Sequence, residues 1–197
     1  MFTGIIESTG YVEHIENEGS NSHFTIRSSI SSALKIDQSI AHDGVCLTVT
    51  QVNGDTHRVT AIAETLNRSS LGKWTIGKQI NLERCMKADG RFDGHIVQGH
   101  VDCIGKLERI EDRNGSWGLF FSHVPGDTFI TVPKGSICVN GVSLTVVESD
   151  STFFSVEIIP FTWQHTNLGG LKPGDVVNLE FDIIGKYLAT LTFRKNN

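Results

Sequence analysis

The feature that most constrains this chain is a repeat. Asp43-Gly44-Val45-Cys46-Leu47-Thr48-Val49-Thr50 returns ninety-seven residues later as Asn140-Gly141-Val142-Ser143-Leu144-Thr145-Val146-Val147, with five of eight positions identical. The flanks return too: Gly4-Ile5-Ile6 with Gly10 is matched by Gly99-His100-Val101 with Gly105, and Asn81-Leu82-Glu83 by Asn178-Leu179-Glu180. A period this long is not that of a solenoid, whose units run to about 20–50 residues. A chain of 197 residues therefore holds two copies of one small fold, joined through the short polar stretch at residues 86–95. The expected units are residues 1–94, residues 95–183 and a tail, 184–197.

Within the repeat, strict alternation marks a half-buried strand. Val45, Leu47 and Val49 point one way and Cys46, Thr48 and Thr50 the other; Val142, Leu144 and Val146 oppose Ser143 and Thr145. Further strands are expected over Phe2–Ile6, Gly10–Ile15, His23–Arg27, Ser39–Ala41, Val45–Val52, His57–Ala61 and Gln79–Glu83, with short helices over Ser28–Leu34, capped by serine, and Thr65–Leu71. Six short strands with turn signals every 8–12 residues predict a small closed barrel. The fold class is all-β: two tandem six-stranded Greek-key barrels and a short C-terminal helix. In that helix Ile184, Tyr187, Leu188 and Leu191 share one face, which predicts an oligomer contact.

Composition narrows the function. Net charge of −5 and the lack of a Lys/Arg cluster argue against a nucleic-acid surface. No apolar run is long enough to cross a membrane as a helix. The opening Met1-Phe2-Thr3-Gly4-Ile5-Ile6-Glu7 lacks the charged and apolar regions of a secretory signal, and the four cysteines show no metal spacing. A cytoplasmic protein with reduced thiols and no metal is expected. His95 and His100, five apart, would lie on opposite faces of a strand and could not readily share an ion.

The chain resembles the duplicated two-barrel riboflavin synthase family. The resemblance rests on MFTGIIE, SIAHDGVCLTVT, GRFDGHIVQGHVD, KGSICVNGVSLTV, IIPFTWQHTNLG and VNLEFDIIGKYL, in that order across both halves and the tail. It implies dismutation of two 6,7-dimethyl-8-ribityllumazine molecules to riboflavin and a ribitylaminouracil. It also implies no separate cofactor and a homotrimer held by the C-terminal helix, and it leaves lumazine synthase open as a partner. The residues implied as catalytic are Cys46, His100, Ser39, Ser143 and Asp182. Those implied to bind substrate in the first half, beyond Cys46, are Gly4, Ile5, Ile6, Leu47, Thr48, Ile62 and Thr65. In the second half they are Gly99, His100, Val101, Lys134, Ser143, Leu144, Thr145, Ile158, Ile159, Pro160 and Thr162.

Each assignment has a structural counterpart. Cys46 is a ligand contact or nucleophile, or simply a small residue on a strand. Thr65 and Thr162 bind ligand or cap helices. Lys134 contacts ligand or is a solvated lysine, and His100 suits proton transfer whereas His95 is read as structural. Asp182 occupies the place of Cys85 in the first half, so the two sites differ chemically. Asn140 stands where many members of the family have Asp, and asparagine cannot take up a proton to become neutral. The alternative is an antenna protein that binds lumazine or flavin without turnover.

Overall fold

The computed structural model describes the backbone of residues 1–195 and the side chains through residue 192, so the last two residues of the expected tail lie outside the described residues. The first barrel contains β1 (Ser8–Glu18), β2 (Asn21–Ser28), β3 (Ser39–His42), β4 (Val45–Asn53), β5 (Thr56–Ala61) and β6 (Gln79–Arg84), with α1 (Ala63–Arg68) between β5 and β6. The second contains β7 (Cys103–Asp112), β8 (Trp117–His123), β9 (Ser136–Val139), β10 (Val142–Ser149), β11 (Phe153–Ile158) and β12 (Val176–Phe181), with α2 (Pro160–His165) in the matching place. A helix, α3 (Ile183–Lys195), closes the chain. Each barrel is closed and antiparallel, and the order β1-β2-β5-β4-β3-β6 is repeated by β7-β8-β11-β10-β9-β12.

The alternation in the sequence decides what faces inward. Val45, Leu47 and Val49 lie in the first core and Val142, Leu144 and Val146 in the second, whereas Cys46 and Ser143 are half-buried on the outer wall and Thr48 and Thr145 are exposed. Each large apolar side chain so enclosed contributes roughly 1.5–3 kcal/mol of transfer free energy. Bulges break register at Val12/His14 and Val49/Gln51, and again at Leu107/Arg109 and Val146/Ser149. Bulges sharpen strand curvature, which helps six short strands close.

Four local expectations change. Phe2–Ile6 is not a strand; only Phe2 pairs, in an isolated bridge with Val97. The expected helix over Ser28–Leu34 shrinks to a 3-10 turn, Ser31–Ala33, entered from Ile30 without a side-chain cap. The expected helix over Thr65–Leu71 is α1 followed by a separate 3-10 turn, Ser70–Lys73. Thr65 and Thr162 cap nothing: both sit inside their helices, and the capping hydroxyls belong to Ser69 and Thr166, which accept from the amides of Leu71 and Leu168.

The two barrels meet about a pseudo-twofold axis. Asp43 and Asn140 both hold φ of +46°, and the glycines after them, Gly44 and Gly141, lie backbone to backbone. Around them runs a buried polar network. Asp43 Oδ1 accepts from the Asn81 amide at 2.7 Å and from Asn167 Nδ2 at 2.8 Å, while Asn140 Oδ1 accepts from the Asn178 amide at 2.8 Å. A small apolar cluster, Phe2, Val97, Ala41 and Cys138, fills the same interface.

Candidate active site

Residues 1–7 and 95–101 are exchanged between the barrels. The Gly99 carbonyl accepts from the Cys46 amide at 2.9 Å, so the lead-in of the second half lies against the first barrel. Reciprocally, the Gly4 carbonyl accepts from the Ser143 amide at 2.8 Å, and Ile6 packs on the second core. Both glycines have positive φ, +78° at Gly4 and +79° at Gly99. A Cβ on Gly99 would lie 2.5 Å from that of Cys46, so this approach requires glycine.

On the first barrel this arrangement encloses a cleft of about 220 Å³ lined by Val45, Cys46, Glu64, Thr65, Arg68, Ser69, Gly99, His100 and Val101. Of the residues expected there, Cys46, Thr65, Gly99, His100 and Val101 come together. Ser39 stands beside Cys46, on the neighbouring strand, and Thr48 lies opposite Ser39 across β3 and β4. Burial pushes the Cys46 thiol up, and the Ser39 hydroxyl offsets this only in part. The Leu47 side chain faces the barrel core, and Ile62 is exposed at the start of α1.

On the second barrel, Ser143 Oγ and His95 Nδ1 share a hydrogen bond of 2.6 Å, which brings into the site a histidine that the sequence marks as structural. Residues 95–100 are not a strand, so the opposite-faces argument for His95 and His100 does not apply; one short segment reaches both the Cys46 cleft, through His100, and Ser143, through His95. Burial lowers the His95 pKa, and the charge of Asp182 works against that shift. Asp182 leads into α3, its Oδ1 accepting from the Ile184 amide at 3.0 Å. Gly4 and Ile5 lead into this side, with Ile5 exposed, and Thr162 sits in α2 behind exposed Ile159 and Pro160, the first residue of the helix. The side chains of Leu144 and Ile158 belong to the core, and Thr145 is exposed opposite Ser136. Lys134 is exposed in the turn before β9 at φ +66°, away from the Ser143–His95 contact in sequence and without a hydrogen-bonded side-chain partner among the described residues.

Two residues that hold the lead-in segments of both halves escape sequence reasoning. Glu83 Oε1 accepts from the Thr3 amide at 2.7 Å and Oε2 from the Gly4 amide at 3.0 Å. Glu180 Oε1 accepts from the Gln98 amide at 2.7 Å, and its Oε2 from Gly99 and His100, each at 2.9 Å. Both carboxylates are buried, and burial raises Glu83 and pushes Glu180 up to about 7. The repeated Asn-Leu-Glu was the available signal, since a glutamate kept in both copies beside a buried leucine is unusual for a solvated residue.

Two duplicated closed barrels, one with a polar cleft at Cys46 and the other with the Ser143–His95 pair in the matching place, define a two-domain barrel protein. The lumazine binding domain family matches residues 3–85 and again residues 98–182. Riboflavin synthase of Actinobacillus pleuropneumoniae is 41% identical over 99% of this chain and 91% of its own length. That of Bacillus subtilis is 39% identical over 100% and 92%, and that of Saccharomyces cerevisiae 37% over 95% and 84%. The chain belongs to the riboflavin synthase family. Its fold is shared by LumP, whose crystal structures with 6,7-dimethyl-8-(1'-D-ribityl) lumazine and with riboflavin superpose at TM-score 0.83, at 21% and 22% identity over 92% and 91% of this chain and 99% and 98% of LumP.

Proposed function

We infer that this chain catalyses the dismutation of two 6,7-dimethyl-8-ribityllumazine molecules to riboflavin and 5-amino-6-(D-ribitylamino)uracil, the last step of riboflavin biosynthesis. The observation that carries the reading is full-length identity near 40% to riboflavin synthases, joined to a duplicated fold with a polar cleft at Cys46. The reaction moves a four-carbon unit from one lumazine to the other and is balanced without an added oxidant. Stacking two heterocycles in register supplies most of the benefit, up to about 7–11 kcal/mol. The pteridine itself delocalises the carbanion formed at its methyl group.

The residues suit that task in different ways. Thr65, Ser39 and Cys46 on one side and Ser143 and Thr162 on the other offer hydrogen bonds to ring edges and ribityl hydroxyls. In this reading His100 at the Cys46 cleft and the His95–Ser143 pair on the second barrel serve as the proton-transfer groups, which their contacts support. Asp182 tunes His95 from the start of α3.

The working unit of this reading is a homotrimer in the cytoplasm, with the first barrel of one subunit facing the second barrel of the next, and lumazine synthase is its candidate protein partner. Support comes from α3, where Ile184, Tyr187, Leu188 and Leu191 are all more than half exposed beside exposed Ile130 and Val132, a continuous apolar face in a single chain. The Lys186–Asp102 ion pair, at 2.6 Å, ties the opposite side of the helix to the second barrel. The test is a Tyr187→Asp/Leu191→Asp double variant followed by sedimentation and assay. Subunits that still bind lumazine but separate should lose more than about 95% of turnover, because the two rings can no longer be stacked; full activity as a monomer would remove the trimer from the account.

A further inference from the structure

We propose that the last strand of each barrel positions the ligand site of the other: Asn178 and Glu180 of β12 fasten the cleft at Cys46, and Asn81 and Glu83 of β6 fasten the surroundings of Ser143. The proposal rests on reading these two places as the lumazine sites.

The geometry follows from strand periodicity. Leu179 points into its own barrel core and is fully buried, so Asn178 and Glu180 on either side of it face outward, toward the other barrel. Glu180 gathers the amides of Gln98, Gly99 and His100. This holds the Gly99 carbonyl where the Cys46 amide meets it and sets the His100 backbone on the rim of the cleft. Two residues earlier, Asn178 Oδ1 accepts from the Ser70 amide at 2.6 Å and Nδ2 donates to the Asp43 carbonyl at 2.8 Å. Ser70 directly follows Ser69, which lines the cleft at the end of α1, and Asp43 opens the turn into β4. Two walls of the first cleft are thus fastened by two side chains of the second barrel.

The same arrangement runs in reverse. Glu83 takes the Thr3 and Gly4 amides, and the Gly4 carbonyl meets the Ser143 amide. Asn81 Oδ1 accepts from the Asn167 amide at 2.7 Å, fixing the turn after α2, and Asn81 Nδ2 donates to the Asn140 carbonyl at 2.9 Å. Glu180 does not line the first cleft, so its role there is to position; three N–H donors converge on both of its carboxyl oxygens, an anchor that an amide cannot reproduce because its nitrogen cannot accept.

The test uses the full chain with its histidine rings labelled for NMR, and riboflavin as the probe. His100 reports the Cys46 cleft and His95 the surroundings of Ser143. In Glu180→Gln, riboflavin affinity read at His100 should weaken at least about tenfold while that read at His95 stays within about twofold, and Glu83→Gln should do the converse. Asn178→Ala, a milder change on the same strand, should also act at His100 first. Amide exchange in the ligand-free chain is the second readout: exchange at Gly99 and His100 should quicken in Glu180→Gln and that at Gly4 should not. If Glu180 served only its own barrel, His95 would report the loss first, and that result, or equal loss at both histidines, overturns the proposal. If riboflavin moves neither histidine in the unaltered chain, the functional reading fails, and exchange at Gly99 against Gly4 still decides the positioning.

Discussion

Gly44 and Gly141 meet at the pseudo-twofold axis so closely that a Cβ on Gly44 would lie 2.7 Å from the Gly141 nitrogen, and one on Gly141 2.8 Å from the Gly44 nitrogen. Their φ angles of +78° and +81° are of the kind glycine adopts readily and other residues rarely do. The turn that introduces each repeated strand is therefore also the contact that joins the two copies.

That placement gives Asn140 a role different from chemistry. It is 2% exposed, it holds the Asn178 amide, and it shares Asn167 with Asp43, whose carboxyl burial pushes up to about 7. A second carboxylate here would face the first. Asn140→Asp should cost about 2 kcal/mol at pH 8 and less at pH 6. The sign follows because burial and Asp43 raise the new carboxyl in the folded state, so the folded chain holds the extra proton and stability falls as pH rises. Denaturant midpoints at the two pH values measure this, and turnover per folded subunit should not change. Altered turnover with an unmoved midpoint would put residue 140 back into the reaction.

The first barrel has a polar spot where the second is apolar. His42 Nε2 and His57 Nε2 lie 2.9 Å apart, His57 Nδ1 meets Ser31 Oγ at 2.8 Å, and both histidines are almost fully buried. Val139 and Phe154 stand in the matching places. Burial lowers His57 to about 4 and His42 well below its ordinary value. The unfolded chain therefore takes up protons near pH 6.5 that the folded chain refuses, and stability is lost as pH falls from there toward 4. Asp43 and Glu180, both raised to about 7, act in the opposite sense over part of this window. The difference between the chain and a His42→Val/His57→Phe variant isolates the histidines: each refuses a proton over about 1.5 pH units below 6.5, so the variant should recover about 4 kcal/mol of the stability lost between pH 7 and pH 5. Parallel pH curves would mean that the pair does not govern acid stability.

With its thiol pushed upward, Cys46 is a neutral hydrogen-bonding group near pH 7 rather than a ready nucleophile. Cys46→Ser should keep turnover within about threefold, as the twin residue Ser143 implies, and Cys46→Ala should lose about tenfold, the worth of one hydrogen bond to the ligand. Loss of more than about a thousandfold in Cys46→Ser, with activity rising steeply above pH 8, would mean that the thiolate attacks substrate.

Much of the fold was legible because alternation and repetition are local. The rows Val45-Leu47-Val49 and Val142-Leu144-Val146 announce their inward faces in the sequence, and both closed barrels follow. Misread segments were those whose backbone partners lie far along the chain. Residues 2–6 and 95–100 carry strand-like side chains, yet the Thr3 and Gly4 amides go to Glu83, the Gln98, Gly99 and His100 amides to Glu180, and the Gly4 and Gly99 carbonyls to the opposite barrel. No local pattern encodes that exchange. Thr65 and Thr162 stood near the correct helix ends, but the capping hydroxyl is four residues later, on Ser69 and Thr166, where each also donates to the threonine carbonyl. The argument that His95 and His100 could not share an ion used strand geometry that their segment does not adopt.

The measurement that tests the account most directly is to mix the purified chain with 6,7-dimethyl-8-ribityllumazine and nothing else, and to follow riboflavin by its absorbance. The account predicts one riboflavin formed for every two lumazines consumed, with the ribitylaminouracil as the other product. Tight binding of lumazine with no riboflavin formed would contradict it, and would leave a chain that holds its ligand without turning it over.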